Sequence, residues 1–579
     1  MQRVQQASSR CQYEHWWRRK KLVTSHEHQK QLAQCTVSLP LLVVPPALDF
    51  DPHQFPRPPS YEEVIDLEKA LQIHPKQSAT NNGATHHTPT SSSNHLLEGL
   101  CSTQETALDS TRRSVRTARR WRFTIFTVYR RLFTLVFLLN FIGIFVILRQ
   151  SSNDTKKGIN LDTLATLASS NFLVAILVRQ DFLINLLFRA AWLVPWYVPL
   201  KIRAIVARVY CYGGIHSGAA LAGTLWWAVF TGLLSFKFLK ERSPTFPIVV
   251  ITWMALLLLF MIVLLALPLM RAKYHDTFEM THRFLGWTSI LLFWAQLFLL
   301  AIHERKASTF SGTIEKQLLT NPTFWNLTAI TLLIIYPWTR LRQWTFIASP
   351  LSSHALQLTL PNKLHKFSCL SISSTPLQEW HPFATFPLTK SEDSGASMVI
   401  SDAGNWTKRI IQDAEMRNTT HRATTQSRTD KAKGSSGKKE GEVTMRFWVK
   451  SHPTAGVLSL SCLFPRVLIV TTGSGIGPSL SSLLDRPANQ FARLIWSTRA
   501  PRSTYGSNLL GLVHHADPDA LIIDTSQMGR PNLLVVAWRM CREVKAEAVF
   551  VLSNEIVTRA VVGGLESRGV RAFGPIWDS

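Results

Sequence analysis

Between about Phe123 and Phe346 the apolar residues of this chain gather into six runs, near 124–148, 161–178, 208–235, 246–270, 284–303 and 323–339. A helix needs about 20 mostly apolar residues to cross the hydrocarbon core of a bilayer. Runs of that kind leave few other folds open, because lipid offers no partner to an unpaired backbone group. The second and sixth runs are short for the task. Together the six predict a transmembrane helical domain over 121–342.

The charge pattern gives these runs a direction. The chain carries 63 Lys and Arg against 37 Asp and Glu, a net charge of +26. Such a balance first suggests nucleic acid. Here the basic residues form no stripe beside aromatics; many flank the apolar runs, where they set topology and meet anionic lipid. Arg112, Arg113, Arg116, Arg119, Arg120 and Arg122 precede the first run, and Arg179, Arg189, Lys201, Arg203 and Arg208 follow the second. Arg271, Lys273 and Arg283 follow the fourth, and Arg340 and Arg342 the sixth. The excess of Lys and Arg places all four regions, and both termini, in the cytosol. Lys237, Lys240 and Arg242 run against the pattern. The pattern fixes orientation in a membrane, plasma membrane or endomembrane, and not which one. Sequons stand at Asn153-Asp154-Thr155, in a non-cytosolic loop, and at Asn326-Leu327-Thr328, close to the membrane. No apolar leader with a cleavage site opens the chain, so the first span is expected to serve as targeting signal.

Outside the membrane domain the composition divides the chain again. Residues 1–120 read as a disordered basic cytosolic tail, Ser/Thr/Asn/His-rich from Gln77 to Asn94. Within it, Pro58-Pro59-Ser60-Tyr61 is a PPxY pattern of the kind WW domains read. It names a WW-domain ubiquitin ligase as a partner, the alternative being a Pro-rich linker. The seven cysteines are widely spaced with no metal-ligand pattern, as in a reducing compartment. Beyond Arg340 short alternating segments such as 354–360 read as strands, and 412–442 reads as a disordered insertion. After it, apolar strands near 466–470, 493–496, 520–523 and 548–552 alternate with helical patterns, which predicts a parallel α/β sheet over 443–579.

The most telling segment joins the first of those strands to a helix: Thr472-Gly473-Ser474-Gly475-Ile476-Gly477-Pro478. A buried strand running into a glycine-rich turn and a helix lets backbone N–H groups approach a diphosphate. Pro478 is suited to the first helical turn. Arg499 and Arg502, at the end of the next strand, are of the residue type that pairs with phosphate through two parallel bonds. As loop charge they would be solvated and without function.

This turn resembles the nicotinamide-binding turn of the ferredoxin-reductase superfamily, in the branch of ferric reductases and NADPH oxidases. Three further segments match in order. His381-Pro382-Phe383-Ala384-Thr385 is similar to the flavin-binding HPF(T/S) strand; Gly404-Asn405-Trp406-Thr407 resembles the segment after it; Gly529-Arg530-Pro531-Asn532 resembles a GRPN segment of the nicotinamide domain. A closer resemblance is to fungal membrane flavoprotein reductases, alone or fused to adenylating, peptide-synthetase-like enzymes. It is carried by Tyr210–Gly218, Thr281–Trp287 and Gly574–Ser579. The resemblance implies a FAD-binding β-barrel over 343–411 and a NAD(P)-binding domain over 443–579. NADPH would pass hydride to FAD on the cytosolic side and then to an unknown acceptor. It assigns FAD to His381, Pro382, Phe383, Thr385, Gly404, Trp406 and Thr407, and NADPH to the glycine-rich turn, Arg499 and Arg530. Ser553 and the terminal Trp577 would stand beside the reacting rings.

Two departures open an alternative. Where the family often has Cys-Gly-Pro, this chain has Leu552-Ser553-Asn554. The related enzymes carry two bis-His haems, each helix offering two His about four turns apart. Here His216 is followed at that interval by Phe230, and His282 and His303 are 21 residues apart. Haem is therefore not expected, with His216 and His282 the candidates for a single one. The alternative is a non-catalytic membrane sensor that binds FAD or NADPH; a transporter is weaker still, since few polar residues line the runs.

Overall fold

The computed structural model describes residues 113–122, 126–153, 159–306, 313–388, 395–429, 443–450 and 453–576. The PPxY segment, the first sequon's Asp154 and Thr155, and Trp577 lie outside them. Helix α1 (Arg113–Arg120) comes first, so the expected disorder of 1–120 is corrected over its last turns. The helical domain follows as α2 (Val128–Asn153), α3 (Leu161–Leu177), α4 (Asp181–Trp192), α5 (Leu200–Val206), α6 (Gly213–Glu241), α7 (Phe246–Leu265), α8 (Pro268–Lys273), α9 (His275–Lys306), α10 (Ile314–Thr320) and α11 (Pro322–Thr339).

Among the described residues, four helices are long and apolar enough to cross a membrane, or up to six if two bent pairs each count as one span. The fourth run ends at Leu265, earlier than its apolar content suggested. Pro268 starts a new helix there because a proline ring cannot continue the old one. The fifth helix begins at His275, nine residues before the expected 284.

Helix α6 is the hub, packing against α2, α3 and α7. Its Gly214 and Gly218, one turn apart, press on the backbone of α2: an added Cβ at Gly218 would stand 2.8 Å from the Phe133 carbonyl oxygen. Small residues matter here because only they let two helix backbones approach this closely. Polar side chains fasten the same helices. Asn140 accepts from Asn171 Nδ2 (2.8 Å) and Trp226 Nε1 (2.9 Å). Asn326 donates to Ser169 and Ser170, which engages the nitrogen a glycan would need.

Helix α4 departs from the axis of α3 by 63°. Its Ile184, Phe188 and Ala191 join Leu458, Leu463 and Phe464 in one core. Burying a residue such as Ile or Phe contributes about 1.5–3 kcal/mol, so α4 is a docking helix. Asn185 donates to the Pro453 carbonyl (2.9 Å) and Trp196 to that of Cys462 (2.8 Å). Arg203 is 4% exposed and donates to Glu547 (2.8 Å) and the Leu463 carbonyl (2.9 Å). Arg208 pairs with Glu566 and donates to Ala572 (3.0 Å). These two arginines, read from sequence as lipid-facing topology markers, are structural bolts between the helical domain and the carboxyl-terminal module.

That module has two sheets. Strands β1 (Leu341–Ser352), β2 (Ala355–Leu360), β3 (Ser368–Ser373), β4 (His381–Ala384), β5 (Phe386–Pro387), β6 (Ala396–Ser401), β7 (Thr444–Lys450) and β8 (Thr454–Ala455) make an antiparallel sheet ordered β4-β3-β7-β1-β2-β6-β5, with β8 on β3. Its end strand β4 comes back against β6, so the sheet curls into a nearly closed barrel. Two boundaries shift. β7 and β8 were expected in the nucleotide domain, yet β7 pairs with β1 and completes the barrel. Residues 412–429, expected as disordered insertion, continue helix α12 (Asn405–Thr429), whose Ile410, Ile411 and Ala414 pack on the barrel core.

The second sheet is parallel: β9 (Arg466–Thr472), β10 (Phe491–Thr498), β11 (Leu521–Asp524), β12 (Ala548–Leu552) and β13 (Ala572–Phe573), ordered β11-β10-β9-β12-β13. Helices α13 (Ile476–Leu484), α14 (Pro501–Ala516), α15 (Leu533–Glu543) and α16 (Glu555–Ser567) alternate with them. Strands β9 and β12 are buried throughout except at their ends, as the unbroken apolar runs required. Helix α1 packs on α16.

Candidate functional site

The glycine-rich turn sits at the carboxyl end of β9, between β10 and β12. Gly473 has φ +51°, a left-handed conformation that glycine adopts without a Cβ penalty. Gly475 is needed for space: an added Cβ would collide with Thr471 Oγ1 and stand 3.0 Å from the Leu552 carbonyl. Gly477 opens toward the barrel, with nothing nearer to its missing Cβ than Val399 at 3.8 Å. Pro478 lies in the first turn of α13, and Ser479 closes that turn on the Gly475 carbonyl (2.8 Å).

Two aromatic residues that the sequence reading did not single out brace the turn. Trp496 Nε1 donates to the Gly473 carbonyl at 2.9 Å, and Tyr505 packs edge-on to Trp496. Burial pushes the Tyr505 phenol up to about 12, which keeps it protonated. A tryptophan inside an apolar strand reads as core; only its place beside the turn reveals the second task.

Ser553, at the end of β12, meets the turn through a 2.6 Å hydrogen bond between its hydroxyl and that of Thr472. Its neighbour Asn554 caps α16, accepting from the Val557 N–H (3.0 Å). Arg499, Arg502 and Arg530 are all exposed. Asp524 organises the nearby backbone, accepting from the N–H groups of Ala500 (2.9 Å) and Ser526 (2.8 Å). Arg499 therefore leaves β10 on a fixed loop.

The start of α13 lies over the seam of the barrel, touching β4, β5 and β6. Strand β4 has a hydrogen-bonding partner, β3, on one side only. Its other edge opens on the seam, and because Pro382 has no N–H that edge offers carbonyl acceptors more than donors. His381 and Phe383 share a face of β4, and Trp406 stacks on both, at 4.0 and 6.2 Å between ring centroids. Trp406 is 7% exposed, belongs to the barrel core and donates to Ser374 (3.1 Å). Pro382 points the other way and is exposed.

Two hydroxyls assigned to flavin by resemblance are occupied at home. Thr385 is buried and donates to the Ser368 carbonyl (3.1 Å). Thr407 accepts from the N–H groups of Ala403 and Gly404 and donates to the Gly404 carbonyl, so it shapes the entry to α12. Gly404 itself is exposed.

In the bundle, His216 and His282 do come together, with ring centroids 6.3 Å apart, and His216 Nδ1 bonds the Ala175 carbonyl (2.8 Å). At the level of Phe230 the space is filled by rings: Trp227 stacks on Phe230 (4.9 Å) and meets Phe293 (4.5 Å), which stacks on Phe172 (5.6 Å). Among the described residues no group of three or more His, Cys, Asp or Glu is arranged to hold a metal ion.

Comparison with known proteins gives a consistent set of relatives. The family model described as adenylate-forming reductase 03009, C-terminal domain, matches residues 457–579. Adenylate-forming reductase 06235 of Coprinopsis cinerea is 36% identical over 467 residues, which is 80% of this chain and 41% of the relative. Adenylate-forming reductase 03009 of the same fungus is 35% identical over 465 residues, with the same coverage. The chain thus spans about two fifths of the length of the curated relatives it matches. Among solved structures, a Neisseria gonorrhoeae ferredoxin NADP+ reductase with bound FAD and NADP aligns with 41% of this chain and 98% of its own, at 12% identity and a TM-score of 0.28.

Proposed function

We propose that this chain is a membrane flavoprotein reductase that takes hydride from NADPH onto FAD at a module held against the face of a six-span helical domain. One observation carries the reading. The glycine-rich turn, with its paired Thr472 and Ser553 hydroxyls, stands over the open seam of the barrel, at the carboxyl edge of a parallel sheet. Dinucleotides bind at such edges, their diphosphate against a helix N-terminus. The residues present fit that demand: Gly473 supplies the left-handed turn and Gly477 leaves room above the backbone.

FAD, when bound, supplies the hydride-accepting ring; the chain's own residues hold, orient and shield it. The free edge of β4 would hold polar groups along the seam, and Phe383 would offer an apolar wall. Arg499, Arg502 and Arg530 suit the extra phosphate of NADPH, since guanidinium pairs with phosphate through two parallel bonds. Ser553 would stand beside the nicotinamide, its hydroxyl oriented by Thr472. The reading routes no electron across the bundle, because Phe230 stands at the position where a second haem-ligating His would be. It therefore looks for an acceptor on the module's own side. The PPxY segment would recruit a WW-domain ligase.

The sensor reading draws on Leu552-Ser553-Asn554, which stand where Cys-Gly-Pro is common; the Ser553 hydroxyl is spent on Thr472 and the Asn554 side chain on capping α16. Anaerobic titration of the purified protein with NADPH separates the two. A reductase bleaches its flavin; a sensor binds without bleaching.

A further inference from the structure

A cavity lies away from the turn, at the base of the first long helix. It measures about 130 Å³ and is lined by Phe126, Arg131, Arg208, Arg559, Glu566 and Ile576, among others. Four segments meet there: the entry to α2, the segment before α6, the length of α16, and residues 574–576. The space is several times the roughly 30 Å³ share of one water, and well short of the roughly 300 Å³ at which drug-sized pockets begin. It suits a small polar group.

Its charge says which. Three arginines face one carboxylate, and that carboxylate, Glu566, is 4% exposed and already paired with Arg208. Arg131 is held in place by its own bonds to the carbonyls of Phe126 (2.9 Å) and Arg122 (3.1 Å). Arg559 pairs on the surface with Glu555 (2.8 Å), which does not line the cavity. The cavity is thus basic in excess and takes an anion. Its remaining wall is mostly apolar, with Thr127, Tyr210 and Thr558 among it, and on the exposed surface of α2 beyond it lie Leu135, Leu138, Leu139 and Ile142. Trp121 (56% exposed) and Phe126 (57%) stand at the same end, as aromatic side chains do at a bilayer boundary.

We propose that this cavity binds the phosphate headgroup of an acidic phospholipid whose tails lie along α2. A basic pocket beside a span is the form such recognition takes, and arginine is the side chain best shaped for phosphate. The bound lipid would bridge α2, Arg208 and α16. It would tie the nucleotide-binding sheet to the membrane surface in proportion to the acidic lipid present. The inference rests on reading α2 as a membrane span.

The test reconstitutes the full chain in nanodiscs of phosphatidylcholine with a minor fraction of phosphatidylglycerol and measures retained lipid by native mass spectrometry. Wild type is expected to retain phosphatidylglycerol preferentially. Arg559→Gln, a surface change that leaves folding intact, should weaken retention roughly fivefold, and Arg131→Gln/Arg559→Gln roughly thirtyfold. Arg120→Gln/Arg122→Gln, near the same end but outside the cavity, should change nothing. No preference for phosphatidylglycerol overturns the proposal, and so does equal loss in the two double variants, which would mean diffuse surface attraction. Occupancy by soluble glycerol phosphate with no lipid retained would assign the cavity to a soluble phosphate and overturn the lipid. A chain that does not enter the nanodisc would instead overturn the membrane reading itself.

Discussion

Helix α6 and the turn after β9 both depend on glycine, for different physical reasons. In α6 the backbone is helical and any residue could adopt it; Gly214 and Gly218 are required because α2 lies against them. At Gly473 the surroundings are open, with nothing nearer to a missing Cβ than the Tyr505 hydroxyl at 3.8 Å, and the left-handed backbone makes the demand. The contrast reflects two ways of holding a protein together. The helical domain joins α6 to its neighbours by close backbone contact and polar clasps. The module buries apolar strands away from water and takes up left-handed backbone at several of its loops, the glycine-rich turn among them.

The contrast breaks most visibly in the bundle. Gly214→Val/Gly218→Val should force α2 off α6; each overpacked site costs up to about 3 kcal/mol. Little monodisperse protein should survive size-exclusion chromatography in detergent, and a normal peak would mean the two helices are held by something else.

The docking interface between the regions should be sensitive to pH. Burial holds the Glu566 carboxyl up at about 7, with Arg208 and Arg131 pulling it down, against an ordinary 4.5. The folded state then binds the proton more tightly than the unfolded chain. Its contribution to stability is full below about 4.5 and is lost as pH rises through 7, at most about 3 kcal/mol across the window. Glu566→Gln should remove that slope. Parallel urea midpoints for the variant and the parent from pH 4.5 to 7.5 would contradict it.

A smaller loss is expected at the other bolt. Arg203→Met leaves Glu547 and the Leu463 carbonyl without their donor and should cost about 2 kcal/mol, as unsatisfied buried partners do. Thermal unfolding checks it, and an unchanged midpoint would show that α4 and α5 dock by apolar contact alone. Smallest is Gly473→Ala, about 1–2 kcal/mol of backbone strain. It should appear as weaker NADPH binding in equilibrium dialysis with the flavin content unchanged.

The sequence reading succeeded where a pattern is long or unbroken. The six apolar runs, the strands near 466–470 and 548–552 and the glycine-rich turn all stand near their expected positions. It failed where one residue type serves two purposes. Arg203 and Arg208 have the spacing of topology markers, and only the fold shows that each meets a distant glutamate. Strand β7 lies beyond a long insertion, so its pairing with β1 leaves no local trace. Thr385 and Thr407 match a motif yet spend their hydroxyls on nearby backbone. The spacing of Gly214 and Gly218 was present in the sequence and went unread as a helix contact.

The central claim is that the seam between the barrel and the glycine-rich turn holds a flavin within reach of NADPH. The most direct test is the absorption spectrum of the purified protein, recorded before and after anaerobic NADPH. A flavin band that NADPH bleaches is the predicted result, and Phe383→Ala should lower the flavin content. Purified protein that carries no flavin, and takes none up when FAD is supplied, would contradict the account.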